Sequence, residues 1–336
     1  MKAIVCEEPG RLALAERPEP RAREGEVLVR IRRAGVCGTD FHIFRGKQPF
    51  LSYPRVIGHE LAGEVVEAPP GSALRAGQTV AVIPYISCLR CVACRRGKTN
   101  CCQSIRVLGV HIDGGLCDYL AVPETNVVPV GDLSVDQAAM IEFLAISAHG
   151  VRRAAPGPGD RVLVVGAGPI GMGALIFAKS RGAVVTVLDV QATRLAFCHE
   201  HLGADETMEA GPDVAERLKR ATDGDFYDLV IDATGNAASM ERGFGYVAHG
   251  GSYLFLGLVQ GDLTFSDPEF HKRETTLLAS RNATREDFEE VLAMIRAGRV
   301  PTTALNTHRA ALAEVPDLFP QWMSPEAEVV KALVEI

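Results

Sequence analysis

Three residues of unlike chemistry stand close together in the first sixty positions: Cys37, in Cys37-Gly38-Thr39-Asp40-Phe41-His42, and the pair His59-Glu60 after Gly58. A thiolate, an imidazole and a carboxylate are the donor types of an open, catalytic zinc site, which keeps one position for water or substrate. Taken singly, Cys37 reads as core, His59 as a satisfied buried histidine and Glu60 as a surface charge. A second cluster changes those odds. Cys88-x2-Cys91-x2-Cys94-x7-Cys102 puts four thiolates on one short loop, a spacing that suits a closed tetrahedral zinc. Four thiolates leave no position for substrate, so this site is expected to be structural. Arg90, Arg95, Arg96 and Lys98 stand nearby and are expected to lower the thiol pKa values. An iron–sulfur cluster is the rival, but the common ferredoxin run has a shorter final gap. Cys101 adjoins Cys102, which leaves the fourth ligand ambiguous; the side chain of Cys101 is expected to point away.

The third signal is Gly166-Ala167-Gly168-Pro169-Ile170-Gly171. Alone, such a run is only a glycine-rich turn. Here it follows an apolar strand, opens a helix, and precedes a second strand ending in Asp189, eighteen positions beyond Gly171. That context makes a dinucleotide fingerprint: the glycines let a pyrophosphate approach a helix N-terminus, and the acid accepts hydrogen bonds from the adenosine ribose. The charge of Asp189 repels a 2′-phosphate, so NAD is favoured over NADP. Arg194 qualifies this, since it could face such a phosphate or simply sit on the helix surface.

Two architectures must position these residues. Up to about residue 150 the chain shows short alternating runs broken by Gly and Pro. Val27, Val29 and Ile31 share one face of Glu26–Arg32, and Leu61–Glu67 and Thr79–Ile83 behave alike, the signature of half-buried strands in a β-rich domain. After the turn Ala155–Asp160, strand and helix signals alternate. Strands are expected at Arg161–Val165, Val184–Leu188, Asp228–Asp232, Ser252–Leu256 and Thr276–Ser280, with a short one near Glu206. Helices are expected at Pro169–Arg181, Thr193–Leu202, Pro212–Ala221 and Ala237–Val247. This is the pattern of an α/β doubly wound parallel sheet. The domains are therefore placed at residues 1–150, with the cysteine lobe at 88–102, then 151–285, and a return of 286–336 to the first domain through a helix near Arg285–Ala297. The apolar stretch Gly250–Leu258 offers a sheet edge for pairing with a second copy.

The chain has 336 residues, 47% apolar and 23% charged, and a net charge of −7. These values describe an ordinary globular protein. With no basic block it is a poor binder of nucleic acid or anionic membrane. The N-terminus shows no targeting segment, and cysteine-based metal sites suit the cytoplasm, where thiols stay reduced.

Together the motifs resemble the zinc-dependent medium-chain dehydrogenase/reductase family. Gly35-Val36-Cys37-Gly38-Thr39-Asp40-x-His42, Gly58-His59-Glu60-x-Ala62-Gly63-x-Val65, the four-cysteine lobe and Gly166–Gly171 occur in the family's order over essentially the whole chain. The resemblance implies a GroES-like catalytic domain joined to a Rossmann domain, one catalytic and one structural Zn2+, NAD as cofactor, a small-molecule alcohol as substrate, and a homo-oligomer (dimer or tetramer). It implies Cys37 and His59 as catalytic zinc ligands, Glu60 as the carboxylate that binds the zinc or exchanges with its water, and Glu142 as the further acidic ligand of the polyol branch or a proton-relay acid. Either could be the direct ligand, and relatives usually carry Pro where this chain has Phe143. Asp40 matches the acid that orients the zinc-bound histidine, and Thr39 and His42 match the proton relay. Gly166, Gly168, Pro169, Ile170, Gly171, Asp189 and Arg194 match cofactor contacts, and Leu256-Gly257-Leu258 with Arg281-Asn282 match strand ends beside the nicotinamide. The nearest look is to the polyol, threonine and sugar-acid branch, in particular to enzymes oxidising hexonates such as gulonate or galactonate at C5. Sorbitol- or threonine-type oxidation is the alternative. A zinc-free quinone or enone reductase, a non-catalytic NAD-binding zinc sensor and an iron–sulfur carrier are the other classes; about two zinc per chain favours the enzyme.

Overall fold

The structure, a computed structural model, describes residues 1–336. The chain divides into two compact units, Met1–Phe143 with Ala283–Ile336, and Leu144–Asn282. The first division lies inside a helix, Ile141–Ala154, ahead of the Gly/Pro turn near residue 155, so no loop signals it in the sequence.

The discontinuous unit is β-rich. Strands β1 (Lys2–Glu8) and β2 (Arg11–Glu16) form a hairpin, followed by β3 (Glu26–Val36), helix α1 (Gly38–Phe44), β4 (Arg55–Val56), β5 (Glu60–Glu67), β6 (Thr79–Val82) and β7 (Tyr85–Ile86). Helix α2 (Val92–Arg95) lies in the cysteine lobe, ahead of β8 (Arg106–Val107), β9 (Tyr119–Pro123), β10 (Val127–Pro129), α3 (Val135–Ala139) and α4 (Ile141–Ala154). The main sheet runs β10-β6-β5-β3 and is completed from the other end of the sequence, with β9 also on β3. Strand β3 is its spine. Val27, Val29 and Ile31 are buried, as their alternation requires, and each such burial stabilises by roughly 1.5–3 kcal/mol.

The second unit holds β11 (Arg161–Val165), α5 (Pro169–Ser180), β12 (Val184–Asp189), α6 (Ala192–Leu202), β13 (Glu206–Glu209), α7 (Val214–Ala221), β14 (Tyr227–Asp232), α8 (Ala237–Gly243), β15 (Val247–Phe255), α9 (Asp267–Lys272) and β16 (Thr276–Ala279). Its six strands are all parallel, in the order β13-β12-β11-β14-β15-β16. The order reverses direction between β11 and β14, and ligands of such sheets bind beyond the carboxyl ends of the strands at that switch. The expected edge at Gly250–Leu258 is corrected here. Strand β15 is flanked by β14 and β16, and the outer strand is β16. The apolar run reflects burial on both faces of an inner parallel strand, not an unpaired edge.

The chain then returns to the first unit through α10 (Arg285–Arg296), α11 (Thr302–Leu305), β17 (Asn306–Ala311), α12 (Val315–Trp322) and β18 (Lys331–Glu335). Strand β18 lies between β3 and β17. No helix is long and apolar enough to cross a membrane.

Candidate active site

Strand β3 ends at Val36, and Cys37 is the N-cap of α1. His59 and Glu60 stand at the start of β5, whose residue Glu60 pairs with Gly35 of β3. This register brings Cys37, His59 and Glu60 together: one ligand atom from each lies within 4.8 Å of the others. Asp40, fully buried, ties the two segments together. Its carboxylate accepts the Cys37 backbone N–H at 3.0 Å and the Gly58 backbone N–H at 3.3 Å. It also stands 3.7 Å from His59 Nδ1, beyond hydrogen-bond range. Burial raises the Asp40 pKa, against the pull of His59 and the backbone donors.

Glu142, in the first turn of α4, is buried and lies outside the tight group of three. Its Oε1 accepts the hydroxyl proton of Tyr85, while its Oε2 is buried without a hydrogen-bond partner. Burial, with the Glu60 charge, pushes Glu142 up to about 7 against the pull of His59, Tyr85 and Lys331. For His59, burial acts to lower the pKa, but the charges of Asp40, Cys37 and Glu142 win and hold it well above the ordinary value. His59 Nδ1 is a second buried atom without a partner. Sulfur, nitrogen and oxygen donors, a buried Glu142 oxygen without a hydrogen-bond partner and an excess of negative groups fit a bound zinc ion.

Two contributors were missed in the sequence. Tyr85 gives no local signal. Lys331 does: it interrupts the apolar run Val329-Val330-Lys331-Ala332-Leu333-Val334, and a buried ammonium demands a partner. That partner is Glu60, whose two oxygens lie 2.6 and 2.8 Å from Lys331 Nζ. Thr39 is half-buried and His42 exposed on α1. Partial covering of its ring, with the charges of Arg45 and Lys47, lowers the His42 pKa.

In the lobe, Cys88, Cys91, Cys94 and Cys102 converge, each offering a sulfur within 4.8 Å of the others. Cys101 is exposed and outside the group. The expected cause of thiol acidity is corrected. Cys88 is lowered, and Cys91 falls to about 6, because backbone N–H groups of the loop point at the sulfurs, whereas burial and its neighbours raise Cys94 to about 11. Arg90, Arg95, Arg96 and Lys98 face solvent.

In the second unit, the glycine run joins β11 to α5, with Pro169 in its first turn. Gly166 has φ +97°, and a Cβ at Gly171 would overlap the Gly166 carbonyl oxygen. A Cβ at Gly168 would meet only Arg194 Nη1, at 3.9 Å. The space over that loop is therefore open to a pyrophosphate, with Arg194 beside it. Asp189 ends β12; its carboxylate accepts the Ala167 N–H at 2.5 Å and the Gln191 N–H at 2.8 Å. The Ile170 carbonyl accepts the Ser147 hydroxyl at 2.8 Å. Leu256, Gly257 and Leu258 follow the carboxyl end of β15, where Gly257 passes so near Gly235 that a Cβ would lie 2.5 Å from its nitrogen. Leu258 is 80% exposed. Arg281 and Asn282 follow β16, with Asn282 left-handed at φ +53°. These residues lie where a doubly wound sheet receives a dinucleotide.

Comparison with known proteins agrees with this geometry. Residues 23–132 match the alcohol dehydrogenase GroES-like domain, and residues 169–297 match the zinc-binding dehydrogenase domain. The chain is 44% identical over 335 residues to L-galactonate-5-dehydrogenase of Escherichia coli K12, covering 99% of this chain and 98% of the relative. It is 33% identical to D-altritol 5-dehydrogenase of Agrobacterium fabrum, covering 95% of each. The solved alcohol dehydrogenase RspB of E. coli CFT073, complexed with NADH, superposes with a TM-score of 0.94 at 31% identity, over 100% of this chain and 99% of that one. The chain belongs to the zinc-binding dehydrogenases with a GroES-like domain, and is a zinc-dependent, nicotinamide-dinucleotide-linked alcohol dehydrogenase.

Proposed function

We propose that this enzyme oxidises a secondary alcohol of a sugar acid, a hexonate at C5 of the galactonate or gulonate type, to the ketone, with NAD as acceptor. The convergence of Cys37 and His59 with buried carboxylates carries the reaction class. The likeness to L-galactonate-5-dehydrogenase supports the substrate.

Cys37, His59 and one of Glu60 or Glu142 would hold a zinc ion, which supplies Lewis-acid polarisation of the alcohol oxygen; the second unit would hold NAD, which supplies the hydride acceptor. Asp40 fixes both ligand-bearing backbones and faces the His59 ring. Thr39 Oγ1 is the proton acceptor of the reading. It sits three residues before His42, on the same side of α1. His42, whose pKa is lowered from the ordinary histidine value, is the group that passes that proton to water. Asp189 binds the adenosine ribose and disfavours a 2′-phosphate. Arg45, Lys47 and Arg281 are the candidate partners for the substrate carboxylate. The reading places the enzyme in the cytoplasm as a dimer or tetramer, with the outer strand β16 and its part-exposed Leu277 as a pairing edge.

The test is NADH formation on hexonates, polyols and threonine, with and without chelator. Hexonate kcat/KM is expected to exceed polyol kcat/KM by about tenfold or more, ~1.4 kcal/mol of discrimination. Cys37→Ser is expected to lose the catalytic metal and turnover while retaining NAD binding. Normal turnover by that variant would end the zinc reading, and an absence of activity on every hydroxy acid would end the substrate reading.

A further inference from the structure

We propose that Phe50 and His111, stacked on each other, form an aromatic wall of the substrate site, against which the carbon–hydrogen face of the sugar-acid chain packs. The inference deepens the sugar-acid reading and rests on it for its ligand.

The ring pair joins two loops that leave from the two ligand-bearing segments. The first loop continues α1, whose N-cap is Cys37, and stays close to that helix: the Lys47 N–H donates to the His42 carbonyl at 2.8 Å. The second loop, residues 108–115, is zipped onto the residues before His59. The Gly114 N–H donates to the Val56 carbonyl at 2.7 Å, and the Gly115 N–H to the Gly58 carbonyl at 3.0 Å. The approach is so close that a Cβ on Gly114 would lie 2.3 Å from the Gly58 oxygen, and one on Gly109 would lie 2.9 Å from the Gly58 nitrogen. The loops meet where the Phe50 ring lies over the His111 imidazole, with 5.8 Å between centroids and 17° between planes. An arch therefore runs from the Cys37 segment to the His59 segment, with the two rings at its crown.

The arch is braced from within. Arg55 donates to Ser52 Oγ of the first loop at 3.2 Å and to Asp113 Oδ1 of the second at 3.1 Å. The same Asp113 oxygen accepts the Val56 N–H at 3.1 Å. His111 Nδ1 accepts the Val107 N–H at 3.2 Å, which orients the imidazole. Phe50 is nevertheless 61% exposed. One face of its ring is backed by His111 and the rest is open. Aromatic faces carry partial negative charge, and the C–H groups of hydroxyl-bearing carbons carry partial positive charge. The open ring thus suits the C–H side of a hexonate, while Arg45 and Lys47 on the same loop supply cationic charge for its carboxylate.

The experiment is steady-state kinetics of the zinc-loaded full-length enzyme with NAD and a hexonate. Phe50→Ala is expected to raise the hexonate KM about tenfold with kcat within about twofold, the mark of lost binding that ground and transition states share. The KM for NAD is expected to stay unchanged, and Phe50→Tyr to keep the wild-type values. His111→Ala removes the backing of the ring and is expected to raise the hexonate KM by about fivefold; combined with Phe50→Ala it is expected to add nothing, because the two rings act as one surface. An unchanged hexonate KM in Phe50→Ala overturns the proposal, and so do effects of the two substitutions that multiply. A wild-type enzyme that oxidises a polyol but no hexonate sinks the sugar-acid reading alone. The same variants on that polyol then decide the wall: a raised KM supports it and an unchanged KM overturns it.

Discussion

Asp40 is a single carboxylate serving two loops. Replacing it by Ala leaves the Cys37 and Gly58 backbone donors buried without an acceptor. That is expected to cost on the order of 2–5 kcal/mol in total. Denaturant titration of Asp40→Ala at saturating zinc, alongside a count of bound metal, checks both the stability and the looser site. Gly171→Ala is expected to lose NAD affinity and about 1–3 kcal/mol of stability, because the new methyl group overlaps the Gly166 carbonyl; calorimetric titration with NAD reads the first. At this scale the sequence was informative where residue types are unusual. Cys37, His59 and the four lobe cysteines announce themselves by donor chemistry and spacing. Tyr85 did not, and Lys331 showed only as a charge inside an apolar run, without its partner. Only the fold reveals that β18 is covered on both sides.

Elements were legible in proportion to their periodicity. Strand β11 has the bounds its apolar run gives, Arg161–Val165, and Asp189 closes β12 as expected. Helix α8 stops at Gly243, short of the expected Val247: the Tyr253 hydroxyl donates to the Met240 carbonyl at 2.8 Å, and the chain tightens into a 3-10 turn over Phe244–Tyr246. Strand β15 begins earlier than expected, at Val247, because its pairing with β14 is resumed after a register shift. Packing decided both. Charge decides another element. Asp136 of α3 is bound by Arg33 of β3 at 2.6 Å and by Arg309 of β17. Burial acts to raise its pKa, but the two guanidinium groups outweigh this and hold it below the usual carboxylate range. A folded pKa below the unfolded one means the stabilisation is complete above the unfolded value, about 3.9, and is lost as pH falls through the folded value. Asp136→Asn is therefore expected to be less stable than wild type at neutral pH, with the gap beginning to close near about pH 4 and vanishing only below the folded pKa of Asp136. Melting curves across that range test the sign.

For the whole molecule, cofactor binding and folding are one equilibrium. NAD at a hundredfold excess over its Kd is expected to stabilise the chain by about 2.7 kcal/mol. Asp189→Ala should reduce that gain for NAD and narrow the difference from NADP, as a thermal scan with each nucleotide would show. The first unit is assembled from both ends of the sequence, and this was only partly legible: the helix and mixed short elements after residue 285 suggested the return of the chain, but not which strand completes the sheet. A chain cut after Val330 lacks β18, the strand between β3 and β17, and is expected to be aggregation-prone even with zinc supplied; soluble yield and circular dichroism would report it.

The late position of β18 has a consequence for synthesis. A ribosome delivers β3, with the candidate metal-ligating thiols and histidine following, long before it delivers the strand that β3 needs on one side. The whole of residues 144–282 emerges in between. During that interval a nascent chain carries an open strand edge and unsheltered sulfur ligands, so chaperone occupancy and the timing of metal loading should both depend on how quickly translation reaches Lys331.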